Sequence, residues 1–410
     1  MGNEDRVRAE FSFFQNAKTV YFFMIGFLVP LVSLQIISNA TVFDLFNVAF
    51  ISFFLAYFFI NGKLQIPLII PIAVIMVGSL FSMFNAQVPL KNSLALITDL
   101  YLFTFFIVLY NVIETKRELK IFILLFIVFA TLQGCFMVGD FLVNAGERSI
   151  GTFLNPNMAS SYLGLSFFLL FQPYVKVNKY LSSLFGFFIL GGMLATKSLA
   201  GLIGFFIITL TVMILYWYRE RTFNIIKLGT VILIITLVSL VIYPTVAKMP
   251  SLSSKFSRSF DSRIILWKTG LDTFIKNPIG SGIGPAGFKE VGPEVEVTTN
   301  ELKKMELHSD WLSFLVERGL IGFLGIVLLF CAIAKMLLQT TKTSNSNREK
   351  LWITGLFGMF IFALSFSFTH EILHFRHVWC AFALIAVEYK LRKKNQEERE
   401  LGKIKEENNP

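Results

Sequence analysis

Apolar residues run through this chain in blocks of about twenty, the length of a helix that crosses a bilayer, and short polar connections separate them. Twelve blocks are predicted as spans: Thr19–Ser38, Thr41–Ile60, Ile66–Phe84, Ser93–Ile113, Leu119–Phe141, Asn157–Tyr174, Tyr180–Thr196, Ser198–Tyr218, Ile225–Ala247, Leu320–Leu338, Leu351–Thr369 and His374–Leu391. Only one long stretch in the middle of the chain, residues 248–309, carries no such block. The pattern divides the chain into a leader (1–18), a nine-span bundle (19–247), a large loop (248–309), a three-span segment (310–391) and a charged tail (392–410). No small-residue cleavage site trails the first span, so it reads as a retained helix.

Composition agrees with the pattern. Apolar residues make up 55% of the 410, Phe alone accounts for 47, and charged residues supply 16%, against about a quarter in a soluble domain. The fold class expected is an all-α integral membrane protein. Cys135, Cys331 and Cys380 fall inside predicted spans, an unsuitable set for a disulfide framework. Most Lys and Arg residues fall on one side, whereas the short connections on the other hold only Lys91, Arg148, Lys197 and Arg376. The positive-inside rule then puts both termini in the cytoplasm and the large loop outside. The net charge of +10 is an orientation and lipid-headgroup signal, with no nucleic-acid partner implied.

Polar residues against this apolar background are the candidates for chemistry. Asp44 and Asp99 are intramembrane carboxylates, functional suspects by default, although each also reads as a helix-end residue. The outer connection 143–157, VNAGERSIGTFLNPN, carries Arg148 among turn residues, with Asn157 placed to cap the next helix. The turn TKSLAG sets Lys197 at the membrane surface beside small residues, where a snorkelling role competes with a binding one.

Within the large loop, DSRIILWKTGLDTFIKN puts Ile264, Trp267, Leu271 and Phe274 on one helical face, as in a helix lying along a membrane. Capping by Asp261 or Ser262 would leave Arg263 in the first turn, where the helix dipole favours an anion and a guanidinium suits a pyrophosphate. GSGIGPAG follows as a bend; without Lys-Ser/Thr it is not a P-loop. A helix opening at His308 in LHSDWLSFLVERGLIG would align His308, Trp311, Leu312 and Leu315 and end at Glu317–Arg318 before Gly319. The remaining histidines lie in HEILHFRH; His370, Glu371 and His374 match the zinc-protease pattern H-E-x-x-H, with His377 as a third ligand, but the match falls where two spans must reverse. The other reading of this cluster is structural or substrate-facing.

Four stretches in order, ERSIGTFLNPN, TKSLAG, SRIILWKTGLDTFIKNPIGSGIG and LHSDWLSFLVERGLIG, resemble the bacterial O-antigen ligase and O-antigen polymerase family of polytopic glycosyltransferases. The resemblance implies an inverting, metal-independent transfer without a cofactor. The donor would be an undecaprenyl-pyrophosphate-linked oligosaccharide, and the acceptor a glycan or lipid A-core hydroxyl. The enzyme would sit in the bacterial cytoplasmic membrane among its lipids, with its site on the extracytoplasmic side and a chain-length regulator as a protein partner. It implies His308 as the catalytic residue and Arg148, Arg263 and Lys197 as pyrophosphate ligands. Family members often carry Ser-Arg where this chain has Lys197-Ser198. Asn157, Glu371 and Arg376 are further candidates facing substrate, and no residue is assigned to a metal. The expected activity is repeat-unit polymerisation, with ligation to lipid A-core as the alternative. A lipid-linked-sugar transporter and an H-E-x-x-H membrane metalloprotease are the more distant ones.

Overall fold

A computed structural model describes residues 3–37, 40–144, 146–174, 178–219, 250–284, 294–298, 301–304, 306–343 and 346–407. The described chain is a helical bundle: α1 (Asn3–Leu28), α2 (Val42–Ile60), α3 (Ile69–Ser82), α4 (Pro89–Val112), α5 (Lys116–Val143), α6 (Pro156–Phe168), α7 (Lys179–Ala195), α8 (Leu199–Arg219), α9 (Pro250–Lys276), α10 (Asp310–Thr341), α11 (Asn347–Ser367) and α12 (Arg376–Glu407). Two small antiparallel hairpins complete it, Gln35–Ile37 with Ala40–Thr41 and Glu294–Thr298 with Glu301–Lys304.

Helices α2, α4, α5, α10 and α11 are long and apolar enough to cross a membrane, and shorter apolar helices cover Ile69–Asn85, Lys179–Ala195 and Gly201–Ile214. With this composition, the chain is a mostly helical multi-pass membrane protein. The predicted span Ile225–Ala247 and residues 285–293 of the loop lie outside the described residues. Helix α1 sits earlier than the predicted Thr19–Ser38 and stops at Leu28. Pro30 explains the stop: it lacks an N–H and disfavours helical geometry in the residue before it. The chain beyond it docks on the connection before α6, with Ser33 N–H donating to the Thr152 carbonyl at 2.9 Å and the Thr152 hydroxyl to the Pro30 carbonyl at 2.6 Å.

Close helix packing is arranged by small residues. A Cβ on Gly78 of α3 would lie 2.4 Å from the Gly322 nitrogen of α10. The two suspect carboxylates are both ion-paired. Asp44 closes a capping box with Thr41 at the start of α2 and binds Arg376, its Oδ1 receiving Arg376 Nε at 2.6 Å. Asp99 is not a helix-end residue: it lies near the middle of α4 and pairs with the buried Arg318 of α10, which also donates to Ser79 at 2.7 Å. Each pair ties together helices far apart in sequence, as expected where a lone charge in an apolar interior would be costly.

Candidate functional site

The glycine-rich bend is a packing device. Ser281 and Gly282 N–H donate to the carbonyls of Val316 and Glu317 at 3.0 and 3.1 Å, and Leu320 N–H donates to Pro278. Backbone meets backbone here: a Cβ on Gly319 would lie 2.3 Å from the Ile279 carbonyl carbon, and Gly319 adopts φ +68°. That conformation interrupts α10, so its first turns, Asp310–Arg318, form a separate piece, as the Glu317–Arg318 ending anticipated.

Two expectations about the large loop are corrected. Helix α9 begins at Pro250, not near Asp261, so Arg263 is in its interior and not in its first turn. Proline suits a first helical position, and no Gly or Pro follows it before Gly270 to break the helix. His308 does not open a helix either. Ser309 caps α10 by accepting from Leu312 N–H, and His308 precedes it at φ +54°, a left-handed conformation uncommon outside glycine but tolerated by histidine. Trp311 and Leu312 are helical, whereas His308 lies off their stripe.

His308 is fixed from both sides. Leu307 before it is fully buried with Leu266 of α9 and Val316 of α10, and its carbonyl accepts from Trp267 Nε1 at 3.0 Å. The packing brings the Leu266 side of α9 against α10, while Ile264, Leu271 and Ile275 remain exposed as an apolar strip. Beyond His308, Asp310 N–H donates to the His370 carbonyl at 3.3 Å, and the Asp310 carboxylate accepts from Ile372 and Leu373 N–H at 3.0 and 3.3 Å. Glu371 accepts His308 N–H at 3.1 Å. The loop before α10 and the loop between α11 and α12 are thereby interlocked.

Residues 370–375 do not form a helix. His370 and His374 are therefore not one helical turn apart, as H-E-x-x-H zinc binding requires, and the motif acts as a loop. Among the described residues no group of three His, Cys, Asp or Glu is arranged to hold a metal ion.

A third loop completes the arrangement. Arg148 donates from Nε to the Thr196 carbonyl at 2.7 Å and from NH2 to Asn157 Oδ1 at 3.3 Å, and Asn157 also accepts from the Ser198 hydroxyl at 2.8 Å. Asn155, not Asn157, caps α6, by accepting from Met158 N–H. Lys197 turns at φ +49° with its ammonium 5.4 Å from the Phe141 ring centre. Arg376, at the start of α12, is ion-paired with Asp44 of α2.

The meeting point of these loops is His370. It is buried, its Nδ1 lies 3.0 Å from the Thr369 hydroxyl, its ring stacks on Phe366 at 4.5 Å, and its Nε2 has no hydrogen-bond partner. Burial first, and then Arg263, His308 and Arg148 in that order, lower its pKa to about 3. Three residues far apart in sequence thus act electrostatically on one neutral imidazole. Burial also lowers the pKa of Arg148 and of Arg263, without bringing a guanidinium near neutrality. Glu371 is shifted the other way, its carboxyl raised by burial and then by Glu317, Glu306 and Asp310, against the lowering effect of the His308 N–H. Sequence reading missed His370 as a site residue because its only local signal was the protease pattern.

Residues 184–327 match the family model described as O-antigen ligase. This match supports the likeness to O-antigen ligases over three of the four stretches that carry it; ERSIGTFLNPN, residues 147–157, lies outside it. It spans α7, α8, α9 and the kinked start of α10, and it contains Lys197, Arg263 and His308; Arg148, Asn157, His370, Glu371 and Arg376 lie outside it. No curated protein matches the chain. The O-antigen ligase family implies a membrane glycosyltransferase that uses lipid-linked glycan.

Proposed function

We propose that the chain is an inverting glycosyltransferase that moves a glycan from an undecaprenyl-pyrophosphate donor to an acceptor sugar hydroxyl, on the extracytoplasmic side of the membrane. The reading rests on the electrostatic influence of Arg263, His308 and Arg148 on the buried His370, beside the match to the O-antigen ligase family model. The acceptor oxygen attacks the anomeric carbon as the bond to pyrophosphate breaks, so negative charge grows on the leaving group and a proton must leave the acceptor. Arg148 and Arg263 stabilise that charge, in a pocket where preorganised cations act strongly. Lys197 adds a charge without a bidentate fork. His308 takes the proton, the general-base role that an imidazole most often fills. His370 stays neutral and offers its unpartnered Nε2 to a ligand hydroxyl. No step requires a metal or cofactor.

The acceptor is taken to be a second lipid-linked repeat, making the enzyme a polymerase, because many envelope types export polysaccharide whereas ligation to lipid A-core needs an outer membrane. The ligase reading is favoured by the description of the matching family. Purified protein given lipid-linked repeats alone separates them by product mass. Growing chains identify a polymerase, transfer that waits for added lipid A-core identifies a ligase, and no transfer with either acceptor refutes both.

A further inference from the structure

The interlocked loops occupy one end of the bundle. Helices α5, α10, α11 and α12 run from there to the other end, where they line a half-open pocket of about 550 Å³. Lys116 opens α5, Lys342 and Thr343 follow or end α10, Glu349 lies in the first turn of α11, and α12 contributes Tyr389 to Arg399. Apart from Tyr389, every residue lining this pocket is polar or charged, an unusual wall in so apolar a chain. Five are cationic, Lys116, Lys342, Arg392, Lys393 and Arg399, and the one carboxylate is Glu349.

Carboxylates neutralise only part of this positive charge. Arg392 is a structural wall: it donates to Glu388 at 2.5 Å and to the Thr343 carbonyl at 3.4 Å, and lies 3.6 Å from Glu349. Lys393 makes an exposed pair with Glu397. Lys116, Lys342 and Arg399 are exposed and have no acidic partner among the described residues. Cations held around a concavity repel each other, and a multivalent anion relieves that repulsion while taking several charge-assisted hydrogen bonds at once.

We propose that this cavity binds a phosphate-bearing anion, distinct from the donor pyrophosphate and at the opposite end of the helices. Its position among the ends of apolar helices fits the phosphodiester headgroup of an anionic lipid, for which basic pockets between transmembrane helices are a known physical solution. A soluble phosphate presents the same chemistry. The site needs no contribution from the glycosyltransferase reading and stands if that reading fails.

The test uses the purified full chain in detergent. Native mass spectrometry compares retention of phosphatidylglycerol with that of phosphatidylcholine of equal acyl length, for wild type and for the Lys342→Gln/Arg399→Gln double variant. Both positions are exposed, so the fold should survive, and Lys116→Gln on a different helix is an independent second variant. The expected result is a phosphatidylglycerol preference in wild type that falls about tenfold in the double variant and less in Lys116→Gln. If millimolar inorganic phosphate instead displaces the lipid and raises the wild-type melting temperature but not that of the variants, the ligand is a soluble phosphate. Equal phosphatidylglycerol retention in all three proteins, with no phosphate effect that distinguishes them, overturns the site.

Discussion

The backbone N–H of His308 donates to a carboxylate oxygen of Glu371 at 3.1 Å, joining two loops separated by the whole of α10 and α11. The bond helps hold His308 in its left-handed conformation at φ +54°, a conformation that costs about 1–3 kcal/mol for a non-glycine residue and persists only where its surroundings impose it. Glu371→Ala is expected to release it. Transfer should fall by about tenfold to a hundredfold through mispositioning, while Glu371→Gln, whose amide oxygen can still accept, should keep most activity. Turnover of a defined lipid-linked oligosaccharide by the two variants checks this; equal losses would mean that the carboxylate acts by charge.

His308→Ala separates chemistry from folding. Loss of a general base is expected to lower kcat by about 10²–10⁴-fold, while the melting temperature should change little or fall slightly, because Ala at φ +54° keeps the left-handed strain. Single-turnover assays beside thermal unfolding in detergent decide it, and near-normal turnover removes His308 from the mechanism.

Arg148→Lys keeps the charge but cannot reach Thr196 and Asn157 together, as the guanidinium does. The donor KM should rise by about tenfold with a smaller change in kcat. A donor titration measures this, and an unchanged KM would make Arg148 a loop fastener only.

His370 gives the pH signature. Its folded-state pKa is lowered to about 3 from an ordinary value near 6.5, so the unfolded chain binds the extra proton first as pH falls. The stability it contributes is complete above about 6.5 and is lost progressively as pH drops towards 3, by a few kcal/mol at most. Melting temperature against pH should therefore slope less steeply in His370→Gln than in wild type across that window. Parallel curves would mean that the imidazole is solvated.

Part of the bundle was legible because its signal is local: five of the apolar runs became helices long enough to cross a membrane, others became shorter apolar helices, and Gly319 did interrupt α10. What stayed hidden depends on contacts at long range. Arg263 looked like a first-turn residue because Asp261 and Ser262 are good caps, yet a better start lay at Pro250. His370 was read only as one member of a structural or substrate-facing cluster, because spacing does not reveal that its loop, residues 370–375, places it within electrostatic reach of Arg148, Arg263 and His308. Arg318, dismissed as a helix terminus, proved to be the partner of Asp99, a pairing that no pattern within either helix encodes.

That last pair also carries a stability prediction. Arg318 and Asp99 are both buried, and Arg318 also reaches Ser79. Asp99→Leu leaves a guanidinium stranded among apolar side chains, and Arg318→Leu strands a carboxylate; each should cost about 3–5 kcal/mol. Replacing both removes the stranded charge together with the attraction, so the double variant should be more stable than either single one. A double-mutant cycle by unfolding in detergent gives the coupling. Because Arg318 adjoins Gly319 and the bend that docks on it, the single variants should also loosen the loop carrying His308. Additive losses across the cycle would show that the two residues stabilise the bundle independently, and the link from α4 to the site would have to be abandoned.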